Sequence, residues 1–150
     1  MLKLDGEDFT CGRSRFADRL PEGEEPTAKI YVKIIPGNLE FPVLAQLDTG
    51  APWSVLAPEI ADAVGVLNKA GEPLTLQTRL GRLEGRLVKV SLTIVADEGD
   101  SLNMESSVFV SQQWPNGKNF LGYSNLLDSI RFALDPQANH FYFGPYTTLP

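Results

Sequence analysis

The sequence predicts an all-β fold, a compact sandwich or barrel with one or two short helices. Runs rich in Val, Ile, Leu, Tyr and Phe recur at short intervals, the 13 Gly and 11 Pro of the 150 residues fall between them, and helical spacing of apolar residues is confined to two short stretches. Closely spaced short strands separated by turn formers are the pattern of a sheet folded on itself.

Taken in order, residues 1–28 mix Gly, Pro and charge, as in Gly6-Glu7-Asp8 and Pro21-Glu22-Gly23. Lacking a sustained apolar period, they read as a loosely ordered lead-in to a domain spanning 29–150. Lys29 to Ile35 is β-branched and roughly alternating, Pro36-Gly37-Asn38 supplies turn chemistry, and the chain is apolar again from Leu39 to Leu47, which predicts a hairpin. Between Ala57 and Val66, Ile60, Ala61 and Val64 share a helical face, Pro58 suits the first turn and Gly65 the end, so a short helix is expected. Leu74 to Thr78 and Arg86 to Val95 read as strands, the alternation of 87–95 being the strongest β-signal in the chain. Asp97-Glu98-Gly99-Asp100 is a polar turn, Ser106 to Val110 a strand, and Pro115 to Asn119 a loop before Phe120-Leu121-Gly122. Ser124 to Ser129 suits one or two helical turns, and Ile130 to Leu134 with Phe141 to Phe143 forms a closing hairpin about the 135–139 turn.

Composition excludes several classes. Apolar residues at 43% and charged residues at 21% are globular proportions, not those of a disordered chain. The net charge of −6, from 13 basic and 19 acidic residues without a basic cluster, argues against nucleic acid or an anionic membrane surface as partner. Cys11 is the sole cysteine, so neither an internal disulfide nor a cysteine-rich metal site is available, and a reducing, cytoplasmic location is expected. No segment has the length and apolarity of a membrane span. No metal or cofactor motif is present: Asp97 to Asp100 lacks the ligand alternation of a calcium loop, and no Gly-rich segment ends in Lys-Ser or Lys-Thr.

One segment carries chemistry. Phe41 to Leu47 is an apolar run that leads straight into Asp48-Thr49-Gly50-Ala51. A carboxylate at a strand end among apolar neighbours is costly unless used or paired, while Asp-Thr-Gly by itself also reads as an ordinary turn. The wider context discriminates. Gln46-Leu47-Asp48-Thr49-Gly50-Ala51 resembles the active-site loop of retropepsin-like aspartic proteases, the single-lobe, retroviral-type enzymes. Downstream, Phe120-Leu121-Gly122 followed by Asn125-Leu126-Leu127 is similar to the hydrophobic-hydrophobic-Gly segment and short helix that support that loop. The order of hairpin, acidic loop, helix, second hairpin and long strands also fits, over residues 29–143.

The resemblance implies a retropepsin-like acid-protease barrel with a flap hairpin, acting as an aspartic endopeptidase on extended peptide or protein substrates. That chemistry needs two carboxyl groups sharing a proton, one to activate water and one to protonate the scissile carbonyl. Two carboxylates about 4 Å apart at an effective dielectric of about 20 repel by roughly 4 kcal/mol, enough to keep one protonated. With a single Asp-Thr-Gly in a chain too short for a second lobe, the other carboxylate must come from a second copy. A C2 homodimer does this, placing Asp48 beside its symmetry mate. By the same resemblance Asp48 is the catalytic acid or base, Thr49 braces the loop across the dimer, Gly50 permits the turn, and Ala51 stands where two-lobed relatives often carry a hydroxyl. Leu121 and Gly122 support the loop.

The flap is expected over Leu74 to Val90, with its tip at Thr78-Arg79-Leu80-Gly81 and a second flexible point at Gly85. Arg79, Arg82 and Arg86 cluster there, either as a solvated face or as a preference for acidic substrate residues. Retroviral enzymes have Gly-Arg-Asn or Gly-Arg-Asp at this point, whereas here Gly122 is followed by Tyr123-Ser124-Asn125, which removes a polar brace and sets Asn125 one residue further on. Lys3-Leu4 and Phe141 to Leu149 are candidate interface strands. The alternative to an active enzyme is a weak or inactive domain of the same fold that binds peptides or partners. Ser124 with a later Asp and His140, or Cys11 with His140, lack the motif context of a serine or thiol hydrolase.

Overall fold

The computed structural model describes residues 1–23, 25–79 and 81–146. Its elements, in chain order, are β1 (Lys3–Leu4), β2 (Glu7–Asp8), β3 (Gly12–Arg15), β4 (Tyr31–Pro36), β5 (Val43–Leu47), β6 (Ser54–Val55), α1 (Pro58–Ala63), β7 (Glu72–Thr78), β8 (Gly81–Ile94), β9 (Glu98–Gly99), β10 (Leu102–Val110), β11 (Phe120–Leu121), a 3₁₀ turn (Leu127–Ser129), β12 (Ile130–Asp135) and β13 (His140–Pro145). The all-β expectation holds, with one short helix and one 3₁₀ turn among the described residues.

Six strands close a barrel in the order β10-β6-β11-β5-β4-β8, with β8 returning to pair antiparallel with β10. Alternation explains why. In β8, Val88, Val90, Leu92 and Ile94 are buried while Lys89 and Ser91 face out, the period-two signature of a stave with one face on the core. Each such side chain contributes about 2 kcal/mol of transfer free energy. Val32 and Ile34 of β4, Ala45 of β5, Val108 and Val110 of β10 and Leu121 of β11 meet them in one core. Among the described residues β7 pairs only with β8, so the β7–β8 hairpin projects from the barrel. The helix begins and ends as its sequence dictates: Pro58 occupies the first turn, and Gly65 takes a left-handed φ of +79° just beyond the end.

A second sheet, β12-β13-β3-β9, packs Phe141 and Phe143 into the core. Its third strand lies inside the expected lead-in and corrects it: Gly12–Arg15 pairs along β13, and Phe16 is buried. The strand carries no apolar alternation because its two inward residues are Gly12 and Ser14. A Cβ at Gly12 would sit 2.7 Å from the Phe143 ring, so bulk on β13 demands emptiness on β3. Glu98–Gly99, expected as a turn, pairs with the far edge of β3. Asp97 secures this corner, accepting from the Arg15 amide at 2.7 Å and from the Lys33 ammonium. Of the expected interface strands, Lys3–Leu4 forms a small exposed ribbon with β2, 141–145 lies in β13, and 147–149 falls outside the described residues.

Candidate active site

The acidic loop is held on both flanks of its strand. β5 runs antiparallel to β4 and parallel to β11. The Gln46 amide donates to the Asn119 carbonyl at 2.8 Å, Leu47 N to the Ile30 carbonyl at 2.8 Å, and Asp48 N to the Leu121 carbonyl at 3.0 Å. The chain then turns, Ala51 N donating to the Asp48 carbonyl at 3.2 Å and Gly50 N to Oδ1 of Asp48 at 2.9 Å. The second bond aims the carboxylate by its own loop. Asp48 is half-buried, Thr49 and Gly50 exposed, and Ala51 half-buried. Gly50 does not take a left-handed φ; a Cβ there would stand 3.3 Å from Oδ1 of Asp48, so its value is room beside the carboxylate.

Leu121 and Gly122 lie directly beneath. Leu121 is fully buried, Tyr123 N donates to the Ala51 carbonyl at 2.8 Å and Ser124 N to the Pro52 carbonyl at 2.9 Å. A Cβ at Gly122 would overlap the Trp53 carbonyl, and the Gly122 amide donates to the Ser54 hydroxyl at 2.9 Å. Sequence reasoning missed two buried polar residues that complete this knot. Asn119 accepts from Ala57 N at 2.8 Å and donates to the Leu44 carbonyl at 3.2 Å, and Ser54 receives Gly122. A polar residue just before an apolar Phe-Leu pair is the signal that could have found Asn119, since buried polar groups must be partnered.

The β7–β8 hairpin forms the opposite wall. Thr78 stands opposite Gly81 and its hydroxyl donates to the Gly81 carbonyl at 2.9 Å, while Gly81 takes a φ of +107°. Leu80, the remaining expected tip residue, lies outside the described residues. Between hairpin and loop is a groove of about 740 Å³ whose lining includes Asp48, Trp53, Val55, Leu76, Arg79, Trp114 and Phe120. Asp48 is its one carboxylate and Arg79 its one cation among the described residues. Trp114 is a third residue that sequence reasoning missed: it meets Phe120 edge-on at 5.7 Å, and its indole N–H donates to the Lys118 carbonyl at 2.7 Å.

Two flap expectations are corrected. Gly85 is a close approach, not a flexible point: a Cβ there would lie 2.7 Å from the Phe109 ring. Of the three arginines, Arg86 is drawn away from the tip to the 67–69 segment. Arg79 enters the groove, Arg82 stands opposite Gln77, and Arg86 binds the Lys69 carbonyl at 3.0 Å and the Leu67 carbonyl at 2.5 Å.

Elsewhere, burial and the Asp100 carboxylate push the Cys11 thiol above its usual range, and its Sγ donates to the Asp100 carbonyl. His140 stands opposite Arg15 in the second sheet, its ring edge-on to Tyr142. Among the described residues no group of three or more His, Cys, Asp and Glu side chains could hold a metal ion, and no helix is long and apolar enough to cross a membrane.

No family model and no curated protein matches the chain. Among solved structures it is similar to a retropepsin-like aspartic protease from Rickettsia conorii, with 20% identity and a TM-score of 0.55 over 87% of this chain and 98% of that one. It is also similar to the retroviral protease-like domain of Ddi1 from Leishmania major, with 16% identity and a TM-score of 0.51 over 79% of this chain and 94% of that one. The fold is thus retropepsin-like.

Proposed function

We propose that this retropepsin-fold chain is one half of an aspartic endopeptidase, a C2 homodimer in which two Asp48 carboxylates form the catalytic dyad. The observation that carries the reading is Asp48 at the floor of an apolar groove under the β7–β8 hairpin, as that groove's one carboxylate among the described residues. In the dimer, the ionised Asp48 takes a proton from water as its oxygen attacks the scissile carbonyl carbon, and the protonated Asp48 donates to the carbonyl oxygen. Collapse of the tetrahedral diol breaks the C–N bond as the Asp48 that took the water's proton passes it to the leaving amine and the other Asp48 accepts one hydroxyl proton, which restores the single shared proton. The titrating unit is then the pair.

The remaining residues take roles consistent with their places. Exposed Thr49 braces the loop across the two-fold axis, Gly50 and Ala51 shape the turn, and Leu121 and Gly122 hold its depth. The hairpin tip, Thr78 to Gly81 with Arg79, covers an extended peptide. Trp53, Trp114 and Phe120 favour large apolar side chains, and Arg79 favours an acidic residue near the tip. The single cysteine fits a cytoplasmic setting. The catalytic domain takes in the strand at 12–15 as well as residues from 29 onward.

One observation favours a second reading, a peptide-binding domain without hydrolysis: exposed Tyr123 stands where the retroviral pattern has an arginine brace. Incubation with a mixed peptide library separates the two. Under the proteolytic reading wild type generates new termini and Asp48→Asn generates none while melting at the same temperature; binding without cleavage by both proteins would select the second reading.

A further inference from the structure

The base of the hairpin is held by a device outside the regular sheet. β10 accompanies β8 as far as Val110 opposite Arg86 and then turns away, with Trp114 N donating to the Ser111 carbonyl at 3.3 Å. Beyond that point the abandoned edge of β8 is a row of N–H and C=O groups in need of partners. At Glu84, two side chains replace the missing strand. Oε1 of Gln113 accepts from the Glu84 amide at 3.0 Å, and the Ser111 hydroxyl donates to the Glu84 carbonyl at 2.6 Å. The same hydroxyl accepts from the Gln113 amide at 3.1 Å, so the two anchors act as one unit. Ser111 is 4% exposed, which shelters its bond from competing water.

The next residue toward the barrel, Gly85, rests on the Phe109 ring. Phe109 meets Trp114 edge-on at 6.4 Å, and Trp114 meets Phe120 at 5.7 Å. Phe120 immediately precedes Leu121, whose carbonyl holds the Asp48 amide. A continuous set of contacts therefore joins the hairpin's base, the aromatic wall and the acidic loop.

We propose that Ser111 and Gln113 form a hinge bracket, positioning residues that set the pivot of the 72–87 hairpin and tie its closure to the groove wall at Trp114. The arm beyond Glu84 moves about Glu84, with Gly85 seated on the Phe109 ring, and the bracket limits how far. A side chain seated on Trp114 presses on the ring that supports Gly85, so filling the wall and lowering the arm favour one another. The role in closure over substrate rests on the proteolytic reading above; the bracket is measurable without it.

The test is amide hydrogen exchange by mass spectrometry on the full chain. Wild type is compared with the double variant Ser111→Ala/Gln113→Met and with Gln113→Glu, which keeps an acceptor oxygen. Losing both anchors should speed exchange across 82–86 about tenfold, leave 88–94 unchanged, and be largely absent in Gln113→Glu. With a cleaved library peptide, KM should rise more than kcat falls. Unchanged exchange at 82–86, equal acceleration throughout 88–94, or no retention of the wild-type rate in Gln113→Glu would overturn the bracket. The expected exchange pattern without hydrolysis by any of these proteins would uphold the bracket and remove the proteolytic reading.

Discussion

The floor and the roof of the groove are built by opposite means. The floor, residues 48–52, hangs on 121–124 by three backbone hydrogen bonds, from Asp48, Tyr123 and Ser124, with Gly122 admitting no added atom and Asn119 and Ser54 tying the ends. The roof is a hairpin with no fully buried side chain along β7 or in β8 before Val88, carried by its own ladder and by Ser111 and Gln113 at its base. Under the proposed function the difference matches two tasks: a carboxylate that meets a partner at hydrogen-bond distance needs a stiff mount, whereas a cover that admits a peptide needs few anchors.

The contrast is broken most severely from below. Gly122→Val should destabilise the chain by about 3 kcal/mol or more, because a Cβ overlapping the Trp53 carbonyl forces the backbone apart. A fall in Tm on the order of 10 °C in a thermal melt checks this. An unchanged Tm would mean that the floor is soft.

At the roof, a drastic change should leave stability alone. Arg79→Glu keeps the wild-type melt but turns preference from acidic toward basic peptides, by about fivefold in relative kcat/KM, the scale of one exposed charge pair. Paired acidic and basic peptides measure it; an identical ratio in both proteins would remove Arg79 from recognition.

The smallest effect belongs to the second sheet. Burial opposes ionisation of Asp97, but Lys33, the Arg15 amide and Arg13 outweigh it and hold its carboxyl below the ordinary range. A carboxyl depressed in the folded state stabilises above its unfolded value, about pH 4, and loses that contribution as pH falls through the folded value. Because the side chain is 40% exposed, the gain is modest. Asp97→Asn should lower Tm by a few degrees at pH 7 and by less at pH 3; a constant gap would place the effect in the Arg15 hydrogen bond alone.

The same comparison shows what was legible in the sequence. Asp48 and its loop announce themselves because strand, acid and glycine are contiguous, and the staves at 31–35 and 87–95 do so through alternation. The helix is legible from Pro58 and Gly65. β3 is hidden because its inward residues, Gly12 and Ser14, answer to bulk on a strand far along the chain. β6 and β11 are two residues long and carry no period at all. Ser111, Gln113 and Trp114 fall between the expected strand at 106–110 and the expected loop at 115–119, and acquire roles only when the fold brings Glu84 and Phe120 to them. Gly85 shows the ambiguity of glycine: flexibility and close packing look identical in one letter.

The central claim, that one chain supplies half of a working site, is tested most directly by measuring hydrolysis per chain against protein concentration while sedimentation reports the fraction of dimer. The account predicts that activity per chain rises in step with dimer and vanishes toward dilution, with Asp48→Asn chains poisoning wild type on mixing. Constant activity per chain across a range in which only monomer sediments would contradict it.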